Sequence, residues 1–312
     1  MNGADRARRA VLAALARTRI ASRIELELAI DLCGRRVVIP VVGGLGPRHS
    51  DVTEPHLLPA IAAGLALRAG AFVDGGAHTG ETLLKLLVLD PERRYIGFEP
   101  QVRGADYVRR LLAANRAEGS VVAAALGGRD GPAVLRRASE LDQGATVVES
   151  FRGPDDRRRP ALVPMLRGDG ALATLGVERV AILKLDLEGG ELEAVRGFAE
   201  TIARDLPVLL CEILPTGGRN GELERFRRGR AEELIALLRD HGYGAHPIDA
   251  RGRVGGGLPE REREPGARDL VFVGVDEGER FIARASAARA ELLAAVRGRS
   301  PHGAGRLRDR AG

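Results

Sequence analysis

The chain has 312 residues, 44% of them hydrophobic and 3% aromatic, with no Trp and a formal net charge of +5. That length allows one large α/β domain with terminal additions, or two small domains. The scarcity of aromatics speaks against a base-stacking platform or a glycan-binding module. Arg supplies nearly all the cations, Lys85 and Lys184 being the only lysines, and both signs are interspersed. The basic balance is therefore discounted as a mark of nucleic-acid binding. Cys33 and Cys211 cannot alone make a disulfide framework or a thiolate zinc site. No uncharged apolar run is long enough to span a bilayer, and residues 11–15 are too short for a signal-peptide core, so a cytoplasmic protein is expected.

Val11, Leu12 and Leu15 stand at helical spacing and predict a short amphipathic helix over 6–18. Ile24, Leu26 and Leu28 alternate with charged residues as in a half-buried strand. Residues 36–42 read as a second strand, with Cys33-Gly34 as the turn between them. A helix over 54–67 leads to Gly70. From Ala71 the pattern alternates: strands over 71–74, 95–99, 120–126, 179–186, 207–213 and 269–275, and helices over 81–89, 106–117, 191–203 and 231–241. Strands separated by helices predict a mostly parallel sheet covered on both faces. Residues 127–170 are rich in Gly, Pro and Arg, with β-like pieces at 133–136 and 146–148. They read as an insertion near the mouth of a site. Residues 252–266 read as a charged loop, and 281–296 as a terminal helix. The Arg-rich tail after Arg297 is expected to be disordered and solvated. The expected division is an N-terminal helix and β extension over 1–53, a main domain over 54–276 and a C-terminal helix and tail over 277–312.

The first chemical signal is Asp74-Gly75-Gly76-Ala77-His78-Thr79-Gly80, at the end of an apolar strand and the start of a helix. Glycines let a main chain approach a ligand closely, and a helix N-terminus presents unpaired N–H groups. A pyrophosphate site has the spacing Gly-x-Gly-x-x-Gly. Here Asp74 stands in place of the first Gly, and a carboxylate there suits an ammonium-bearing ligand such as the methionine part of S-adenosylmethionine. Glu99, followed by Pro100, ends the next strand, where an acid can accept from both hydroxyls of a ribose. The second signal is Lys184-Leu185-Asp186-Leu187-Glu188-Gly189-Gly190-Glu191. Period two puts Lys184, Asp186 and Glu188 on one face at the end of an apolar strand. Such charges are costly to bury unless paired. Either they close the strand as ion pairs, or they stand at the mouth of a ligand crevice. Glu212 ends the neighbouring apolar run, as a partner for Lys184 or as a substrate contact.

Taken together these residues resemble the FkbM family of methyltransferases. The family's turn is matched by Val73-Asp74-Gly75-Gly76-Ala77-His78-Thr79-Gly80, and its strand end by Phe98-Glu99-Pro100. Asn115 closes a helix, and Lys184-Leu185-Asp186-Leu187-Glu188-Gly189-Gly190-Glu191 follows. Gly197-Phe198 and Leu210-Cys211-Glu212 also fit. The stretch Met165-Leu166-Arg167-Gly168-Asp169-Gly170 departs from the Thr-Leu-Asp often found there. The resemblance covers residues 54–215. It implies a class I methyltransferase fold, Rossmann-like, with a seven-stranded sheet whose last strand is antiparallel. It further implies transfer of a methyl group from S-adenosyl-L-methionine to a hydroxyl of a sugar, glycan or secondary metabolite.

On this reading Asp74, Gly75, Gly76, Ala77, His78, Thr79, Gly80, Glu99 and Pro100 bind the cofactor. Asp186 and Glu188 face the methyl group and the acceptor, one of them as base or metal ligand, and Lys184 tunes them. His78 is an alternative base. Carboxylates alone leave Mg²⁺ open, and the oligomeric state, a homodimer included, is also open. The rivals are a nicotinamide-dependent oxidoreductase on a similar sheet and a non-catalytic scaffold of the same fold.

Overall fold

The computed structural model describes residues 3–16, 22–153, 158–213, 221–258 and 269–297. The basic tail after Arg297, residues 17 and 18 of the expected first helix and residues 259–266 of the expected charged loop lie outside the described residues.

Helix α1 (Gly3–Ala16) buries Leu12 and precedes an antiparallel hairpin of β1 (Leu26–Leu32) and β2 (Arg35–Val41). The hairpin turns at Cys33 and Gly34, both left-handed at φ +47° and +89°. Its inward residues Ile30, Leu32, Val37, Ile39 and Val41 belong to the same core as residues of the following helices. The Asn115 side chain joins the two parts. It accepts from the Val38 N–H and donates to the Val38 carbonyl, each at 2.8 Å.

Helix α2 (Leu58–Leu67) leads into β3 (Ala71–Gly75), followed by α3 (Glu81–Leu89), β4 (Tyr95–Phe98), α4 (Val102–Asn115) and β5 (Gly119–Val122). A small separate sheet follows, made of β6 (Ala125–Leu126), β7 (Gly131–Arg137) and β8 (Arg159–Leu166) in the order β6-β8-β7. The chain then runs through α5 (Gly168–Thr174), β9 (Val180–Leu185), α6 (Glu191–Gly197), α7 (Ala199–Asp205) and β10 (Val208–Glu212). It ends with α8 (Glu222–Asp240), β11 (Tyr243–Ile248), β12 (Asp269–Gly274) and α9 (Gly278–Arg297).

The main sheet has seven strands in the order β11-β12-β10-β9-β3-β4-β5. β12 is antiparallel to β10 and β11, and the remaining pairs are parallel. Every residue of β3 and β9 is buried, as two-sided cover demands, and these strands read as continuous apolar runs rather than alternations. The chain moves outward from β3 to β5 and returns on the other side of β3 as β9. The switch point therefore lies between the carboxyl ends of β3 and β9, where open α/β sheets form their ligand crevice.

Several expected boundaries move. The strand expected over 120–126 ends at Val122, and Ala125 and Leu126 pair with β8 instead. The helix expected over 54–67 begins at Leu58, after left-handed Glu54 and a 3-10 turn. The helix expected over 191–203 breaks at Phe198. Asp169 accepts from the Glu200 and Thr201 N–H groups and from the Thr201 hydroxyl, capping a new helix start. Helix α8 starts well before the expected 231, and β11 has no counterpart among the expected strands.

Candidate functional site

A cleft of about 300 Å³ opens at the carboxyl ends of β3, β4, β9 and β10 and is closed on one side by the 138–147 loop of the insertion. That volume is at the lower end for a small-molecule site. Gly76, Ala77 and His78 form one wall with Glu99 and Pro100. Lys184, Asp186, Leu187, Glu188 and Glu212 form another. Among the described residues, seven of the lining are carboxylates (Glu54, Glu81, Glu99, Asp142, Asp186, Glu188 and Glu212), against a single lysine. A chain of net charge +5 thus builds an acidic cleft.

The glycine turn is held from below. Gly76 is left-handed at φ +84°, and a Cβ there would lie 2.0 Å from the Asp186 carbonyl oxygen, so only Gly lets β3 and β9 close at this point. The N–H groups of Gly76 and Ala77 both donate to the Phe98 carbonyl, at 2.9 and 3.0 Å. His78 has φ +44°, a conformation uncommon outside Gly. Its N–H donates to Glu99 Oε2 at 2.9 Å, while the Gln101 N–H donates to Oε1 at 2.8 Å. Burial pushes the Glu99 carboxyl up, further than these two N–H groups bring it down. His78 Nε2 is buried and has no hydrogen-bond partner. Burial works against the His78 cation, but Glu81 outweighs it and raises the imidazole pKa.

Asp74 is placed differently from its expected role. It is fully buried and lies beneath the turn, outside the cleft lining. It accepts from the Tyr95 hydroxyl at 2.6 Å, and its Oδ1 lies 3.7 Å from Lys184 Nζ. Gly97 sits opposite Asp74 in the register. A Cβ at Gly97 would come within 2.8 Å of the Tyr95 ring, so this Gly clears the path by which Tyr95 reaches Asp74. Asp74 Oδ1, like His78 Nε2, is a buried atom with no hydrogen-bond partner. Gly75, Thr79 and Gly80 also lie outside the lining. Thr79 instead donates to Glu81 Oε1 at 2.9 Å, and Gly80, at φ +88°, starts α3.

Lys184 is nearly buried, and its ammonium lies 3.2 Å from Asp186 Oδ2. Burial opposes its charge, but Asp186 and Asp74 outweigh burial and hold the ammonium well above the usual lysine range. Glu212 shares a hydrogen bond with Asp186. Burial, then the charge of Asp186, pushes the Glu212 carboxyl up to about 8. Glu188, left-handed at φ +53°, pairs with Arg152. Burial raises its carboxyl more than Arg152 lowers it. Glu191 lies below the turn and accepts from the Leu187 and Gly189 N–H groups, at 2.7 and 3.3 Å. Burial pushes it up to about 7.

The sequence pattern did not single out Tyr95, Gln101, Asp142 or Arg152. The Gln101 amide donates to the Asp142 carbonyl at 3.0 Å and accepts from the Asp142 N–H at 2.8 Å, which latches the insertion loop to the residue beside Glu99. No local pattern could have signalled this pairing across the insertion. Among the described residues, no group of three or more His, Cys, Asp or Glu could hold a metal ion. No described helix is long and apolar enough to cross a membrane.

A crystal structure of methyltransferase FkbM from Methylobacillus flagellatus KT is 17% identical, with a TM-score of 0.38, over 65% of this chain and 43% of that one. This chain therefore aligns with less than half of that relative's length. No curated protein matches the sequence significantly. The model of the methyltransferase FkbM domain matches residues 74–244, which run from the end of β3 to the start of β11 and make up more than half of the chain. The chain belongs to the FkbM methyltransferase domain family.

Proposed function

We propose that the protein is an S-adenosyl-L-methionine-dependent methyltransferase of class I fold that methylates a hydroxyl of a small-molecule or glycan acceptor. The acidic cleft carries this reading. Carboxylates outnumber cations among the described lining residues even though Glu54, Asp142 and Glu188 are paired with Lys85, Arg158 and Arg152, which favours a cationic ligand over a pyrophosphate and speaks against the nicotinamide-dependent alternative. The residues present fit such a cofactor. His78 Nε2, which lines the cleft, is a buried polar atom without a protein partner, and unsatisfied groups of that kind point to a ligand. Glu99 keeps lone pairs for two ribose hydroxyls while its His78 and Gln101 bonds fix its orientation. The single antiparallel strand of the seven-stranded sheet supports the class I assignment.

When bound, the cofactor supplies an electrophilic sulfonium methyl group. The backbone of Gly76, Ala77 and His78 would hold this group and Glu99 would orient it, so that positioning would contribute much of the acceleration. Asp186 would accept the proton that the acceptor hydroxyl gives up. Glu212 lends a hydrogen bond to that carboxylate, and Lys184 holds it in place. Asp74 and Tyr95 act through Lys184 and not on the ligand.

The test is Asp186→Asn, assayed with labelled cofactor against hydroxylated sugars, alongside calorimetry with the demethylated cofactor S-adenosylhomocysteine. Turnover falls at least about 100-fold, while S-adenosylhomocysteine affinity stays within a few fold. Undiminished turnover would remove Asp186 from the role of base. Binding of NAD without binding of S-adenosylhomocysteine would overturn the reading as a whole.

A further inference from the structure

Beyond the acidic cleft the charge changes sign. Three arginines crowd the edge next to Glu188. Arg152 pairs with Glu188, and its Nε is buried without a hydrogen-bond partner. Arg158 donates to Asp142 at 2.7 Å. A Cβ at Gly144 would lie 2.6 Å from an Arg158 Nη and 2.9 Å from an Arg152 Nη, so these two guanidinium groups converge on one point of the backbone. Arg227, on α8, donates twice to the Phe151 carbonyl, at 3.0 and 2.7 Å, and lies 5.0 Å from the Phe151 ring centroid. Burial and the neighbouring Arg152 both press its pKa down. Glu188 and Asp142 each pair with one of these guanidinium groups.

Arg152 stands on a boundary. On one side is Glu188, in the cleft. On the other is a second cavity of about 500 Å³, which Arg152 lines together with Arg136, Thr146 and Ser150. The two acids of that cavity, Glu149 and Glu222, are exposed to solvent. We propose that this second cavity takes an anionic group of the acceptor, a phosphate monoester or a carboxylate, which draws the Arg152 guanidinium away from Glu188. The inference rests on the methyl-transfer reading, because it names the class of acceptor for that site. A guanidinium matches phosphate and carboxylate oxygens in bidentate fashion, so the exchange replaces one charge-assisted pair by another. It also leaves the Glu188 carboxylate free at the place where the acceptor hydroxyl arrives. A neutral sugar leaves Arg152 on Glu188.

The test is calorimetry of the full chain with ribose 5-phosphate, glucuronate and ribose, repeated on Arg152→Gln and Arg136→Gln. The wild type binds ribose 5-phosphate or glucuronate at least about tenfold more tightly than ribose, and the two arms distinguish phosphate from carboxylate. Arg152→Gln loses that preference and keeps S-adenosylhomocysteine affinity within about twofold. Arg136→Gln, which leaves the Glu188 pair in place, weakens the charged ligands and not ribose. Equal affinity for charged and neutral sugars, or a preference that survives Arg152→Gln, overturns the proposal. Failure of S-adenosylhomocysteine to bind, with an Arg152-dependent anion preference intact, removes the methyl-transfer reading and leaves the anion site standing.

Discussion

Replacing Lys184 by Met removes the cation that lies between the buried Asp74 and the half-buried Asp186 while keeping most of the side-chain volume. The ammonium lies 3.2 Å from Asp186 and 3.7 Å from Asp74, and Asp74 has no exposed surface. Losing one partner of a buried ion pair costs about 3–5 kcal/mol, because the other charge stays buried and uncompensated. The loss depends on pH, and its sign follows from linkage. Burial already raises the Asp74 carboxyl above its ordinary value, with Lys184 as the leading opposing influence, so Lys184→Met raises it further. A carboxyl with a raised folded-state pKa holds its proton in the native state over a range where the unfolded chain has released it. Native stability then falls as pH rises through that range, by at most about 1.4 kcal/mol per pH unit for each proton retained. Urea unfolding of wild type and Lys184→Met at pH 5 and pH 8 measures the effect. The variant is destabilised at both values and more strongly at pH 8. An equal loss at the two values, or a greater loss at pH 5, would refute the reasoning. Adding Asp74→Asn to Lys184→Met removes the stranded charge and recovers stability at pH 8, a gain that unfolding of the double variant would register.

Gly76→Ala forces a side chain onto a left-handed residue and into the Asp186 carbonyl at 2.0 Å. The conformation alone costs about 1–2 kcal/mol, so a lower thermal midpoint and loss of S-adenosylhomocysteine binding are expected in calorimetry. Glu99→Gln keeps one acceptor oxygen but replaces the other with a donor facing the N–H group of Gln101 or His78. S-adenosylhomocysteine affinity falls about 10- to 100-fold in calorimetry. Glu212, raised to about 8 by burial and by Asp186, holds its proton in the native state between the ordinary carboxylate range and pH 8, so its contribution to stability declines as pH rises across that window. Glu212→Gln therefore raises the thermal midpoint relative to wild type at pH 8.5 but not at pH 5, and the reverse order would refute the assignment.

The main sheet was legible where burial on both faces makes strands into apolar runs, as in β3 and β9. β11 was not, because His246-Pro247 reads as extended chain. Pro247 is tolerated because β11 is the last strand of the sheet and this residue faces the 254–258 segment, to which it contributes only its carbonyl, accepting from the Gly255 N–H. β8 was hidden in the same way by Pro160 and Pro164. β6 pairs only with Met165 and Leu166, which leaves the other edge of β8 without a named strand partner at both prolines. The break at Phe198 depends on Asp169, about thirty positions earlier, and no local helical pattern reports it. At the site, His78, Glu99, Lys184, Asp186 and Glu188 could be found because each stands at or just beyond the end of a strand. The same logic does not report that Asp74 is fully buried. Sequence spacing gives a residue's position along a strand, but Tyr95 and Lys184 decide whether its side chain meets ligand or core.

Asn115 has a consequence for how the molecule behaves among its own copies. A two-stranded ribbon offers a free row of N–H and C=O groups to which another chain can add as a third strand. The Asn115 amide occupies the donor and the acceptor of Val38, midway along β2. Helix α4 thus supplies a one-residue stand-in for a neighbouring strand, and this side chain guards the ribbon against intermolecular strand addition.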